Sequence, residues 1–245
     1  MTGPVESRTW PDALPARAVE PGPYRRIFGY DVERDVAKHY AFSDSLLLGL
    51  TGELPDDARS RAFAAVLTFA SAMSVRDAPM HAAVLSRICG VRTGGILAVA
   101  LLALGEHIDA LLRRLEPLFA DAPVDDAAVD DAAVDNAAVD ELPAGLNARD
   151  DDERRSIANL RELLGDGFVV PLLAKDLGLE PALLCVLRAC GLVTSFQMCS
   201  ALSIARLPSV LAEVVSTKVG DFKSYPMDLP HFEYDPALPP GGARR

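Results

Sequence analysis

Between residues 44 and 219 the apolar residues of this chain fall at three- and four-residue spacings and almost nowhere alternate one by one with polar ones. Such spacing lines one face of a helix, whereas a half-buried strand needs a period of two. An all-α core is therefore expected. The helical segments read as Asp44 to Leu50, Asp57 to Met73, Met80 to Cys89, Gly95 to Phe119, Ser156 to Leu164, Val169 to Leu177, Pro181 to Ser203 and Pro208 to Val219. Pro55 and Asp56 supply the start signal of the second, with a carboxylate in the N-cap place. Tyr24 to Val32 and Phe222 to Tyr234 are expected either as short strands or as chain wrapped over the surface. A chain of 245 residues, 50% of them hydrophobic, has enough material to bury a large core in one or two domains.

One segment breaks the pattern. From Ala120 to Glu141 the chain reads ADAPVDDAAVDDAAVDNAAVDE, a five-residue repeat. Successive valines then stand about 140° apart around a helix and form no single apolar stripe. The segment reads as a solvated linker or a frayed helix, and as a repeat expansion without a function of its own. It carries much of the formal net charge of −11, a sign that argues against a nucleic-acid partner. The apolar run Thr93 to Ala103 is about half the length of a membrane span and is flanked by Arg92 and Glu106, so no membrane is expected. The start MTGPVESRTWPDALPAR has no apolar stretch after a basic one, which makes a cytoplasmic location the default. Cys89, Cys185, Cys190 and Cys199 lie in apolar helical contexts without Cys-x-x-Cys or histidine spacing, and read as small buried hydrophobes rather than disulfides or metal ligands.

Several strings share an order. GDGFVVPLLAKDLGL is followed by LRACGLVTSFQ; earlier, IFGYDVERDVAKHYAFSDSLLLGLTGELP runs from Ile27 to Pro55; and DLPHFEYDP spans Asp228 to Pro236. Together they resemble the citrate synthase and citryl-CoA lyase family, in which Asp-Gly, Leu-Gly and Arg-x-x-Gly-Leu-Val follow one another near the active site. The resemblance covers roughly residues 24–89, 95–115 and 165–236. It implies an all-α, citrate synthase-like large-domain helical bundle. The order along the chain would be a flexible segment 1–23, a first part of the large domain 24–119, linker and small-domain remnant 120–164, a second part 165–236 and a flexible tail 237–245. Only eleven residues separate Arg154 from Asp166, so the small domain is expected to be truncated.

The family enolises the α-carbon of an acyl-CoA: an aspartate takes the proton, one histidine hydrogen-bonds the thioester oxygen, a second polarises the partner carbonyl, and arginines hold carboxylates. Donors aimed at the enolate oxygen make physical sense, because that charge is costly without them. By resemblance Asp166 is the base; it is equally placed to cap the helix expected after Gly167. His107 keeps the imidazole of a His-Gly-Gly-Ala motif, with Ile108 and Asp109 in the glycine places. It is either the enol stabiliser or a polar residue near a helix end. Asn147 stands where the second histidine is expected and can donate a hydrogen bond but no proton. The family's Ala-Asp-His-Gly element is missing, and His81 reads as a surface or helix-cap residue. Arg154 and Arg188 fall in carboxylate-binding places, with structural salt bridging as the alternative for each; Ser195 replaces a histidine after Arg188.

The resemblance thus implies C–C bond formation or cleavage next to an acyl thioester, diminished or redirected in activity. No tightly bound cofactor is expected, with a coenzyme A thioester as substrate and a dicarboxylate or oxo-acid as partner molecule. The alternative is a non-catalytic subunit, a homodimer or a heterodimer with a full-length relative, joined through apolar helices at Gly95 to Leu104 and Pro181 to Ser203.

Overall fold

The computed structural model describes residues 17–20, 25–115, 146–165 and 167–222. Expectations for the termini, the acidic repeat and the tail motif Asp228 to Pro236 lie outside them, as does Asp166. The chain opens with a small antiparallel sheet, β1 (Val19–Glu20), β2 (Arg26–Ile27) and β3 (Tyr30–Asp31), in that order. Ile27 faces both Val19 and Tyr30 across the ladders. Phe28 and Gly29, both with positive φ, form the two-residue turn between β2 and β3. The π-helical turn Val32–Val36 then runs into α1 (Ala37–His39).

Helices make up the rest: α2 (Phe42–Thr51), α3 (Asp57–Ala70), α4 (Ala78–Ile88), α5 (Thr93–Leu115), α6 (Asp151–Leu164), α7 (Leu179–Ala189) and α8 (Ser195–Ser216). The expected cap of α3 is present, with Asp56 accepting from the Arg59 N–H at 2.8 Å. At the start of α2 the buried Asp44 carboxylate accepts from the Ala41 N–H and the Ser60 hydroxyl, tying α2 to α3. Core side chains come from every long helix, with Leu47, Phe63, Leu104, Ile108, Leu160, Leu184 and Leu187 fully buried. α5 packs on α4 and α8, and α3 on α6 and α7. Gly105 meets Cys199, and Arg114 meets Arg206 through a shared Glu180, so α5 and α8 run side by side in the same direction.

Two helical expectations are corrected. The break inside the last apolar region falls at Gly191 rather than before Pro208. Gly191 takes φ +89°, its N–H and that of Leu192 return to the Arg188 and Leu187 carbonyls, and α7 ends there in a Schellman turn. Thr194 and Gln197 then form a capping box that starts α8, which continues through Pro208. The expected helix Val169 to Leu177 shrinks to a 3₁₀ turn, Pro171–Ala174. Its end is drawn instead into pairing with residues 146–148: Ala148 N–H donates to the Asp176 carbonyl and Gly178 N–H to that of Leu146. By length and apolarity α5 and α8 would each suffice to cross a membrane; both carry fully buried core positions, and α5 has Glu106, Asp109, Arg113 and Arg114 exposed in its second half.

Candidate functional site

α7 organises the residues singled out in the sequence. At its N-terminal end Glu153 acts as a hub: its carboxylate accepts from the Arg149 N–H, the Arg149 guanidinium and the Leu179 N–H, joining α6 to α7. Burial would raise the Glu153 carboxyl, but these donors more than offset it and hold it below the ordinary glutamate value. Asn147 is exposed, and its backbone pairs with Leu177 in an isolated bridge. Gly178 packs against this pairing, with an added Cβ standing 3.4 Å from the Leu146 and Asn147 carbonyl oxygens, an ordinary contact distance.

Arg154 belongs to this same end. Its Nε donates to Asp176 at 3.0 Å and its Nη1 to Asp151 at 3.0 Å, an arrangement with the character of structural salt bridging. Beside it an open cleft of 240 Å³ separates α6 from residues 174–177, walled by Arg154, Arg161, Lys175 and Asp176 over a floor of Ile157 and Leu177. Arg161 Nη2 donates to the Lys175 carbonyl at 3.2 Å. Sequence reasoning passed over Arg161 and Lys175, because the turn that brings residue 175 to α6 is set by the long-range pairing at 146–148.

Arg188 sits in the last turn of α7, nine residues and so about 13 Å along the helix axis from Leu179. It is half-buried, and burial pulls its guanidinium below the ordinary value. The turn after it is pinned by Arg59, whose Nε donates to the Cys190 carbonyl at 2.7 Å. Ser195 is exposed at the start of α8, while Gln197 holds that corner: its Oε1 accepts from the Val193 and Thr194 N–H groups, and its Nε2 donates to the Leu50 carbonyl.

His107 is half-buried well inside α5, not near a helix end. Ile108, in a family glycine place, points into the core at 0% exposure and leaves only Asp109 on the outer side. Asp109 lies beside Cys199, whose thiol is pushed up by burial first and by that carboxylate second. Burial raises Cys185 and Cys190 to about 12, which leaves them inert as nucleophiles. Cys89 departs from its expected burial: it is exposed at the C-cap of α4. His81 is half-buried in the first turn of α4. Of the five residues assigned by resemblance, then, Asn147 and Arg154 gather at residues 176–178, Arg188 stands at the opposite end of α7, His107 lies on α5 and Asp166 falls outside the described residues.

No protein-family model matches the chain, and no curated protein sequence matches it. Among solved structures, the citryl-CoA lyase of Hydrogenobacter thermophilus superposes with a TM-score of 0.65 at 18% identity, covering 93% of this chain and 98% of that one. At that identity the likeness speaks for the fold: all-α and citrate synthase-like.

Proposed function

We propose that this protein acts on an acyl thioester by enolisation and C–C bond formation or cleavage, in an activity diminished or redirected relative to citrate synthase and citryl-CoA lyase. The observation that carries the reading is the fold likeness over 98% of the citryl-CoA lyase chain. Asp166 is assigned the α-proton, His107 the thioester oxygen and Arg188 a carboxylate of the second substrate. Arg188 is half-buried in the last turn of α7, and a guanidinium suits this role because it offers a carboxylate two parallel N–H donors. Arg154 is already engaged by two aspartates, and Asn147 lies with it, so the weight of the proposal rests on the other three. The test is thioester-dependent deuterium exchange at the α-carbon of acetyl-CoA. Exchange above the level of an Asp166→Ala variant is expected; equal rates in the two proteins overturn the enzymatic reading.

A second reading is supported by α5 and α8, where Val99, Leu101, Leu102, Leu211 and Val215 are exposed, Leu102 to 70% and Val215 to 80%. Exposed apolar side chains on neighbouring helices suit a subunit contact. Here the chain is a non-catalytic partner, paired with itself or with a full-length relative. Mass measurement in solution separates these cases: a homodimer that ignores an added full-length relative argues against the heterodimer, and a monomer in both mixtures overturns the reading.

A further inference from the structure

The cleft between α6 and residues 174–177 runs against the electrostatics of the whole chain. The formal net charge is −11, yet three cations, Arg154, Arg161 and Lys175, wall this cleft against one carboxylate, Asp176. Asp176 is spoken for by Arg154, at 3.0 and 3.4 Å. Arg161 spends one donor on the Lys175 carbonyl, and the Lys175 ammonium enters no ion pair among the described residues. The Arg161 side chain is thereby anchored on the backbone of the residue that carries the second cation, and neither Arg161 nor Lys175 pairs with a carboxylate among the described residues.

We propose that this cleft binds a phosphate dianion, free or as the terminal group of a monoester. Two neighbouring cations favour both charges on one compact group, and a guanidinium presents two parallel N–H donors to phosphate oxygens. Ile157 and Leu177 back the cleft, but at 3% and 0% exposed they offer almost no surface of their own, so the contacts to the anion come from its charged wall. At 240 Å³ the cleft lies below the roughly 300–1,000 Å³ of sites for drug-sized ligands, the right scale for one small anion. The site is independent of the thioester reading, and its test contains no thioester.

Phosphate is titrated into the protein at low ionic strength by calorimetry, with glycerol 3-phosphate and succinate in parallel. Saturable binding of one phosphate per chain is expected, weakened about tenfold by Lys175→Ala and by Arg161→Ala, the scale of one charge-assisted hydrogen bond. It is expected to be unchanged by Arg61→Ala, a control on the exposed side of α3. Charge-retaining Lys175→Arg keeps binding within a few-fold, which holds the test open if an alanine variant fails to fold. Tighter binding of glycerol 3-phosphate assigns the site to a monoester, and equal binding assigns it to free phosphate. No saturable binding, an affinity indifferent to the Lys175 and Arg161 changes, or tighter binding of succinate overturns the proposal.

Discussion

The Arg59 guanidinium lies across Gly191, in the space that a Cβ at residue 191 would occupy, while its Nε donates to the carbonyl of Cys190. Gly191 therefore answers two demands, a left-handed φ of +89° and a close approach by a cation that caps the end of α7. Replacing it with alanine strains the backbone and displaces Arg59 at once. Gly191→Ala is expected to cost about 1–3 kcal/mol in denaturant unfolding. In an Arg59→Ala background the same change should cost less, because only the backbone part remains; an equal cost in both backgrounds would show that the contact contributes nothing.

How α7 and α8 divide was not legible from apolar spacing, which continues through the turn without a gap. The signals that decide it are local: Gly191 for the stop, Thr194 and Gln197 for the restart. Pro208, the louder signal, is tolerated at an exposed position within α8. By contrast Asp56 announced α3 to within a residue, because a side-chain cap is a short-range interaction. The same contrast governs the site. Asp176 lies 22 positions from Arg154 and reaches it only through the pairing of residues 146–148 with 176–178, which periodicity cannot show. Residues near the end of α7 were legible as a motif, but not their neighbours.

Glu153 gives the N-terminal end of α7 a pH dependence. Its folded carboxyl lies below the ordinary 4.5, so ionisation stabilises the folded state. That contribution is fully present above about pH 4.5 and is lost as pH falls through the lower folded value. Glu153→Gln removes the charge-assisted bonds to Arg149 and Leu179 and is expected to cost about 1–2 kcal/mol at pH 7. The difference between the two proteins should shrink toward pH 3. Parallel unfolding curves from pH 3 to 7 check this, and a constant gap would refute it.

The four thiols should separate by reactivity. Cys185 and Cys190, raised to about 12, hold roughly one part in ten thousand as thiolate at pH 8. Cys89 is exposed and is expected to be alkylated first, with Cys199 slower because it is part-buried beside Asp109. Peptide mass spectrometry after timed alkylation reads the order. Labelling of Cys185 or Cys190 before Cys199 in the folded protein would contradict the packing of α7.

Glu180 and Arg206 carry an asymmetry that mutation should expose. Arg206 is 7% exposed, its Nη2 stands 3.5 Å from Glu180, and its Nε and Nη1 are buried without hydrogen-bond partners among the described residues. Glu180 also receives Arg114 at 2.9 Å, so one carboxylate fastens α5, α7 and α8 together. Neutralising the carboxylate leaves a buried cation uncompensated, whereas removing the cation relieves two unsatisfied donors. Glu180→Gln is expected to destabilise by about 1–3 kcal/mol, below the fully buried limit because the glutamate is a third exposed. Arg206→Met, which refills the space with apolar volume, is expected to be neutral or stabilising. Chemical denaturation of both variants decides it. A larger loss from Arg206→Met than from Glu180→Gln would mean that the arginine holds the three helices by more than its contact with this carboxylate.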